Sequence, residues 1–194
     1  MPDLKDSPRH SLNAITALGG TEPRIDVIGD VTCTEMPNIA LASVAAKLGS
    51  QTHAQKALSK ALGTAAPPIG GVSSKILTAF WIGPDQWMLE APLDQLEDLA
   101  AYLSPLLQGC GYVTEQTDAW ARFDLEGSSI LDVLELLCNL DTRRMQNDTV
   151  SRSNIHHLGC FVRCITADHF AIYGPRASAQ SLHHAITTAM RSAI

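Results

Sequence analysis

An α+β fold, with antiparallel sheets and helices packed on one side of them, is what this 194-residue sequence predicts, and three observations carry that reading. Short runs of β-branched and aromatic residues are joined by tight turns, such as Gly83-Pro84-Asp85-Gln86, which make hairpins. From residue 75 onward each pair of such runs is followed by apolar residues at helical spacing, giving the order ββα three times. The GxGxxG turn that opens a parallel nucleotide-binding sheet is absent.

Taken in order, residues 1–24 are rich in Pro, Ser, Gly and charge and read as a flexible arm that could lie on a partner. Residues 25–194 then read as one α+β domain. Ile25 to Thr34 alternates as a strand. Asn38 is placed to cap a helix over Ile39 to Leu48, stopped by Gly49. His53 to Leu62 is a second helix ending at Gly63. Residues 64–74, with two prolines and two glycines, are the best place for two lobes to meet, or else a surface loop.

The later elements are more strongly patterned. Lys75 to Ile82 and Trp87 to Glu90 form a hairpin. Pro92 suits a first helical turn, with Asp94 and Glu97 near the positive end of the dipole. Leu93, Leu96, Leu99, Leu103, Leu106 and Leu107 share a helical face, which Pro105 kinks and Gly109 stops. Gly111 to Thr117 and Ala119 to Leu125 are strands around a turn near Asp118. Ser128 or Ser129 caps a helix with Ile130, Val133, Leu134 and Leu137 inward. Strands near Ile155 to Ile165 and His169 to Tyr173 follow. Pro175 opens a final helix whose apolar face includes Leu182, Ile186 and Met190.

Composition narrows function by exclusion. The net charge is -6, and the longest basic cluster is Arg143-Arg144, so neither nucleic acid nor an anionic membrane surface is an expected partner. No run approaches the ~18 apolar residues of a membrane span. The first residues lack the basic and apolar segments of a signal peptide, so a cytoplasmic location is expected. Charged residues make up 18% of the chain, below the usual share of about 25%, which points to surface covered by a partner. Five cysteines, an odd number without a CxxC, read as reduced thiols, most of them in the core.

Motifs for chemistry are sparse: there is no phosphate-binding GxxxxGK[ST] loop, GxSxG elbow or HExxH helix. His156, His157, Cys160, Cys164 and His169 are metal-ligand types in a short span. On a regular strand Cys160 and Cys164 lie roughly 13 Å apart, too far to chelate one ion. Buried thiols and hairpin histidines are therefore preferred to a metal site. His183 and His184 point about 100° apart on a helix and read as surface or interface residues. Asp141-Thr142-Arg143-Arg144 could hold a carboxylate but reads first as a solvated loop. Trp81, Trp87 and Trp120 read as core aromatics. Asp118 and His169 lack an identifiable second member for acid/base work. No catalytic, cofactor-binding or metal-binding residue is assigned.

Several short motifs, in order, resemble those of the gamma subunit of heterotetrameric sarcosine oxidase. Gly83-Pro84-Asp85-Gln86-Trp87-Met88-Leu89 resembles its glycine-rich turn and Glu-Trp-Leu-like strand, with Gln86 in place of Glu. Asp118 and Arg122-Phe123-Asp124-Leu125-Glu126-Gly127 resemble its acidic turn, strand and glycine before a helix. Leu140-Asp141 resembles its helix-end Asp-Leu in reversed order. Ser153-Asn154-Ile155-His156-His157-Leu158 resembles a Gln-Thr-x-Leu segment with both polar positions changed. Tyr173-Gly174-Pro175-Arg176 resembles its closing strand and turn, with Ala177 for Ser. The resemblance implies an accessory chain of a complex that demethylates sarcosine to glycine and passes the one-carbon unit to tetrahydrofolate. Its partners would be alpha, beta and delta subunits, with FAD, FMN and NAD held by alpha and beta. It further implies two lobes related to the folate-binding aminomethyltransferase-like fold. A free-standing folate-binding protein of that type is the alternative, with Asp118 or Asp124 as candidates to grip the pterin.

Overall fold

Alternation along the strands sorts the side chains of this chain into layers. In the computed structural model, which describes residues 14–194, the strands are β1 (Ile25–Ile28), β2 (Val31–Glu35), β3 (Ile39–Ala46), β4 (Val72–Ser74), β5 (Thr78–Gly83), β6 (Gln86–Pro92), β7 (Gly111–Glu115), β8 (Trp120–Glu126), β9 (Thr149–Ile155), β10 (Leu158–Thr166) and β11 (His169–Pro175). The helices are α1 (Gln51–Leu62), α2 (Leu99–Leu103), α3 (Ile130–Leu137) and α4 (Ala179–Ala193). All strand pairs within the sheets are antiparallel. One sheet has the order β1-β2-β8-β11-β10-β9 and the other β4-β5-β6-β3-β7.

The two sheets stack face to face, and each carries its helices on its outer side. Cys33, Phe123, Leu125, Val162 and Ile172 of the first sheet pack under α3 and α4. Ala42, Val44, Leu89 and Ala91 of the second pack under α1 and α2. The residues of opposite parity, among them Leu41, Phe80, Met88, Phe161 and Tyr173, form a third cluster between the sheets. Phe80 anchors it, with ring centroids 4.9 Å from Tyr173 and 5.9 Å from Phe161. A fully buried Leu or Phe contributes about 1.5–3 kcal/mol, so these three layers carry most of the stability.

Residues 64–74 do not separate the sheets, because each sheet takes strands from both sides of that segment. They stitch the sheets together instead: Gly71 bridges to Thr149 of β9, and its carbonyl accepts from Trp81 of β5. The first thirteen residues of the expected arm lie outside the described residues. Residues 14–24 lie against the body, with Thr16 buried and the backbone N–H groups of Leu18 and Arg24 donating to the Glu35 carboxylate at 2.9 and 3.2 Å.

Several expected elements take another form. The helix expected over 39–48 is strand β3, in the middle of the second sheet. Its alanines favour helix, but Ala40, Ala42 and Val44 alternate toward α1 and α2 while Leu41 turns the other way. Packing between β6 and β7 overrides propensity. The single strand expected over 25–34 is a hairpin turning at Gly29, whose φ of 58° suits glycine. The long helix expected from Leu93 shrinks to α2, capped by the Asp98 side chain accepting from Ala101 N–H at 2.8 Å. The strand expected over 155–165 is the β9–β10 hairpin, turning through His156 and His157 at φ 46° and 69°. No helix among the described residues is long and apolar enough to cross a membrane.

Candidate functional site

The chemistry-bearing side chains converge between the two sheets. Phe123 faces the helices, so Arg122 and Asp124 on either side of it face the other sheet. On β6, Leu89 and Ala91 face α1 and α2, so Glu90 faces inward as well. Tyr173 stands opposite Arg122 in the β8–β11 register. The Arg122 guanidinium forks onto Asp124, with Nε donating to Oδ1 at 2.5 Å and Nη2 to Oδ2 at 2.6 Å. Its Nη1 donates to Glu90 Oε1 at 2.7 Å, across the sheet interface. The Tyr173 hydroxyl donates to the other Glu90 oxygen at 2.5 Å, and His169 Nε2 lies 3.0 Å from Asp124 Oδ2.

These groups are almost dry: Arg122 and Glu90 are each 9% exposed and Asp124 5%. Burial works against the Arg122 charge, and Tyr173, Asp124 and Glu90 more than offset it, so the guanidinium is held above its ordinary value. Burial raises the Tyr173 phenol, and the Glu90 carboxylate beside it adds to the shift. The charges of Arg122, Glu90 and Asp124 are spent on one another, which fixes the two sheets in register. Arg163 of β10 lies in the same layer, beyond Ala171, and is 6% exposed; its Nε has no hydrogen-bond partner among the described residues.

Two cavities approach this network. One, of about 360 Å³, lies between residues 14–23, the β2–β3 connection, Trp120, Arg122 and Arg176. Arg176 is held there by donating to the Ile15 carbonyl at 3.1 Å and by Asp118 at 3.9 Å. The other, of about 420 Å³, is lined by Met36, Ser74, Lys75, Ile76, Thr78 and Glu90. Its lining mixes apolar Met36 and Ile76 with polar Ser74, Lys75 and Thr78, and the Glu90 carboxylate there already accepts from Arg122 and Tyr173. Glu90 was the residue that sequence reasoning missed. The signal was present: an acid between Leu89 and Ala91 in a strand is an acid facing a core.

The residues singled out from sequence fall in separate places. His156 and His157 are exposed at one end of β10, and His169 lies past its other end. Cys160 and Cys164 are buried in the outer core under the helices. Among the described residues no group of three or more His, Cys, Asp or Glu side chains could hold a metal ion. His183 Nε2 meets Asp26 Oδ2 at 2.7 Å and so ties α4 to β1, while His184 is exposed. Trp87 is core, with its indole N–H donating to Pro67 O at 3.0 Å; Trp81 and Trp120 are half-buried. Asp118 is exposed, and Asp124 is fully engaged by Arg122 and His169.

In the segment 141–144, Arg143 reaches back to Asp132 and Glu135 of α3, so its guanidinium is already matched by two carboxylates. Arg144 pairs with Asp141 at 3.3 Å. Thr142 is 2% exposed, and its hydroxyl has no partner among the described residues. Thr142→Val keeps the shape and removes a desolvated polar group, so it is expected to stabilise the chain by about 0.5–1 kcal/mol. Calorimetry should then show the melting temperature rise by about 1–4 °C. A fall would show that the hydroxyl has a structural partner.

No family model and no curated protein sequence matches this chain. Among solved structures it is similar to a chain of the heterotetrameric sarcosine oxidase from Corynebacterium sp. U-96, in complex with pyrrole 2-carboxylate. That match has 22% identity and a TM-score of 0.73, over 86% of this chain and 88% of that one. It is also similar to the glycine cleavage system aminomethyltransferase T from Bartonella henselae, at 15% identity and a TM-score of 0.60. There it covers 84% of this chain but 47% of that one, so this chain spans about half the length of the aminomethyltransferase. Both likenesses show the fold: antiparallel α+β sheets of the kind these two proteins share.

Proposed function

We propose that this chain is an accessory, non-catalytic subunit of a sarcosine oxidase-type complex, which oxidatively demethylates sarcosine to glycine and feeds one-carbon units to tetrahydrofolate. The observation that carries the reading is the coverage of the structural match. It extends over 86% of this chain and 88% of a chain of the heterotetrameric enzyme. The order of the short motifs from Gly83 to Arg176 agrees with it.

The surface supports the same reading. The inter-sheet cluster draws on β9, β10 and β11 of the first sheet and on no residue of β1 or β2 at the other edge. There Ile25 and Val27 are 61% and 67% exposed, as apolar residues awaiting a neighbouring chain would be. In this reading the partners are alpha, beta and delta subunits, FAD, FMN and NAD belong to the larger chains, and this chain contributes assembly and stabilisation. Co-expression with those three subunits tests it. A single chromatographic peak containing all four chains is expected, and elution of this chain alone overturns the reading.

A second reading, a free-standing folate-binding protein of the aminomethyltransferase type, is favoured by the likeness to that fold and by the 420 Å³ cavity. Calorimetry of the isolated chain with tetrahydrofolate separates the two. Saturable binding at one site supports the second, and its absence removes it.

A further inference from the structure

The geometry points to a binding site for a small planar carboxylate in a third cavity, one that the subunit reading does not use. This cavity, of about 250 Å³, opens between the two sheets beside the β5–β6 turn. Ser43, Gln86, Gln116, Trp120, Arg152 and Phe161 carry its chemistry. Its size is below the roughly 300–1,000 Å³ of drug-sized sites, which limits the occupant to about one ring.

The aromatic wall comes from strand register. Phe161 of β10 pairs with Arg152 of β9 and with Tyr173 of β11, so its ring points between the sheets. Trp120, at the start of β8, lies with its ring centroid 5.3 Å from that of Phe161 and its plane tilted by 50°. Phe161 is 4% exposed and backs the half-buried Trp120 ring, whose open side gives a planar ligand offset or edge contact.

The polar wall is oriented before any ligand arrives. Trp120 Nε1 donates to Gln116 Oε1 at 3.2 Å, and Gln116 Nε2 donates to Ser43 Oγ at 3.1 Å. Each donor in this relay points at the next acceptor. The Ser43 hydroxyl therefore accepts from Gln116 and keeps its own proton for a ligand.

Charge selects the class of ligand. Arg152 lies 5.7 Å from the centroid of the Phe161 ring, held by a cation–π contact. The other two arginines at described cavities have carboxylate partners, Arg122 with Glu90 and Asp124, and Arg176 with Asp118. Arg152 has none among the described residues, in a chain whose net charge is -6. A guanidinium left unpaired beside an aromatic wall and a hydroxyl donor fits a ring bearing a carboxylate: Arg152 and Ser43 take the anion, and Trp120, backed by Phe161, takes the ring.

Benzoate is the probe, with benzamide as its neutral counterpart, each titrated into the full 194-residue chain by calorimetry and by Trp fluorescence. Saturable one-to-one benzoate binding is expected, with benzamide at least about tenfold weaker. Arg152→Gln and Ser43→Ala should each weaken benzoate by about tenfold. Arg152 is exposed on an edge strand, so Arg152→Gln should melt with the parent chain. The benzoate–benzamide comparison on the unaltered chain stands even if a variant misfolds. No saturable binding of benzoate, equal affinity for benzamide, or undiminished binding by a folded Arg152→Gln protein each overturns the site.

Discussion

Arg122→Met is expected to lower the unfolding free energy by about 3–5 kcal/mol, because it leaves two buried carboxylates facing each other without a cation. Glu90 and Asp124 are 9% and 5% exposed, so water does not replace the guanidinium. They also lie on different sheets, and Arg122 is the group that bridges them. A domain of this size holds about 5–15 kcal/mol in total, so one side chain accounts for a large fraction. Urea denaturation measures the loss. Replacing the carboxylates as well, in Glu90→Leu/Arg122→Met/Asp124→Leu, should recover most of it, since apolar packing substitutes for a paired buried network at little net cost. A single-variant loss below about 1 kcal/mol would show that the network is wetter than its burial implies.

Alkali is expected to unfold the chain well before the arginines lose charge. Burial pushes the Cys33 thiol from its ordinary value near 9 up to about 12, with the Asp26 and Asp124 carboxylates adding to the shift. Burial likewise raises Cys160 to about 11, and Tyr173 moves in the same direction. Each is a raised folded-state value, so its contribution is fully present below the unfolded-state value. Between pH 9 and 12 the unfolded chain releases these protons while the folded chain retains them, and stability falls. Cys33 alone costs about 1.4 kcal/mol per pH unit in that window, on the order of 4 kcal/mol by pH 12. Urea midpoints measured from pH 8 to pH 12 should fall throughout, and Cys33→Ala should fall less steeply. A flat profile would mean that the thiols ionise in place.

The β5–β6 and β7–β8 hairpins and the helices after them were legible because period-2 and period-3.6 patterns are local properties of the chain, but the third expected ββα unit holds three strands, β9, β10 and β11, before α4. The helices after Ser129 and Pro175 bury the apolar faces predicted, but Ser129 makes no side-chain cap and the last helix starts at Ala179 rather than Pro175. Residues 39–48 were misread because alanine favours helix unless neighbours on both sides make it a strand, and β6 and β7 lie more than forty residues downstream. The arginine–carboxylate network was equally out of reach. Arg122 and Asp124 show inward-facing parity, but nothing local says that Glu90, 32 positions earlier, faces them.

What the sequence by itself determined is the class: antiparallel hairpins backed by helices, an acidic chain without a nucleotide loop, and the order of motifs that resembles an accessory subunit. The tertiary structure alone decided how the two sheets share the chain, with β1 and β2 joining β8 across more than eighty residues. It also decided which polar residues meet. His156, Cys160 and His169 are close in sequence and come apart, because extended chain carries each residue about 3.3 Å from the last. Glu90, Arg122 and Tyr173 are far apart in sequence and converge, because stacking two sheets brings their inward rows together.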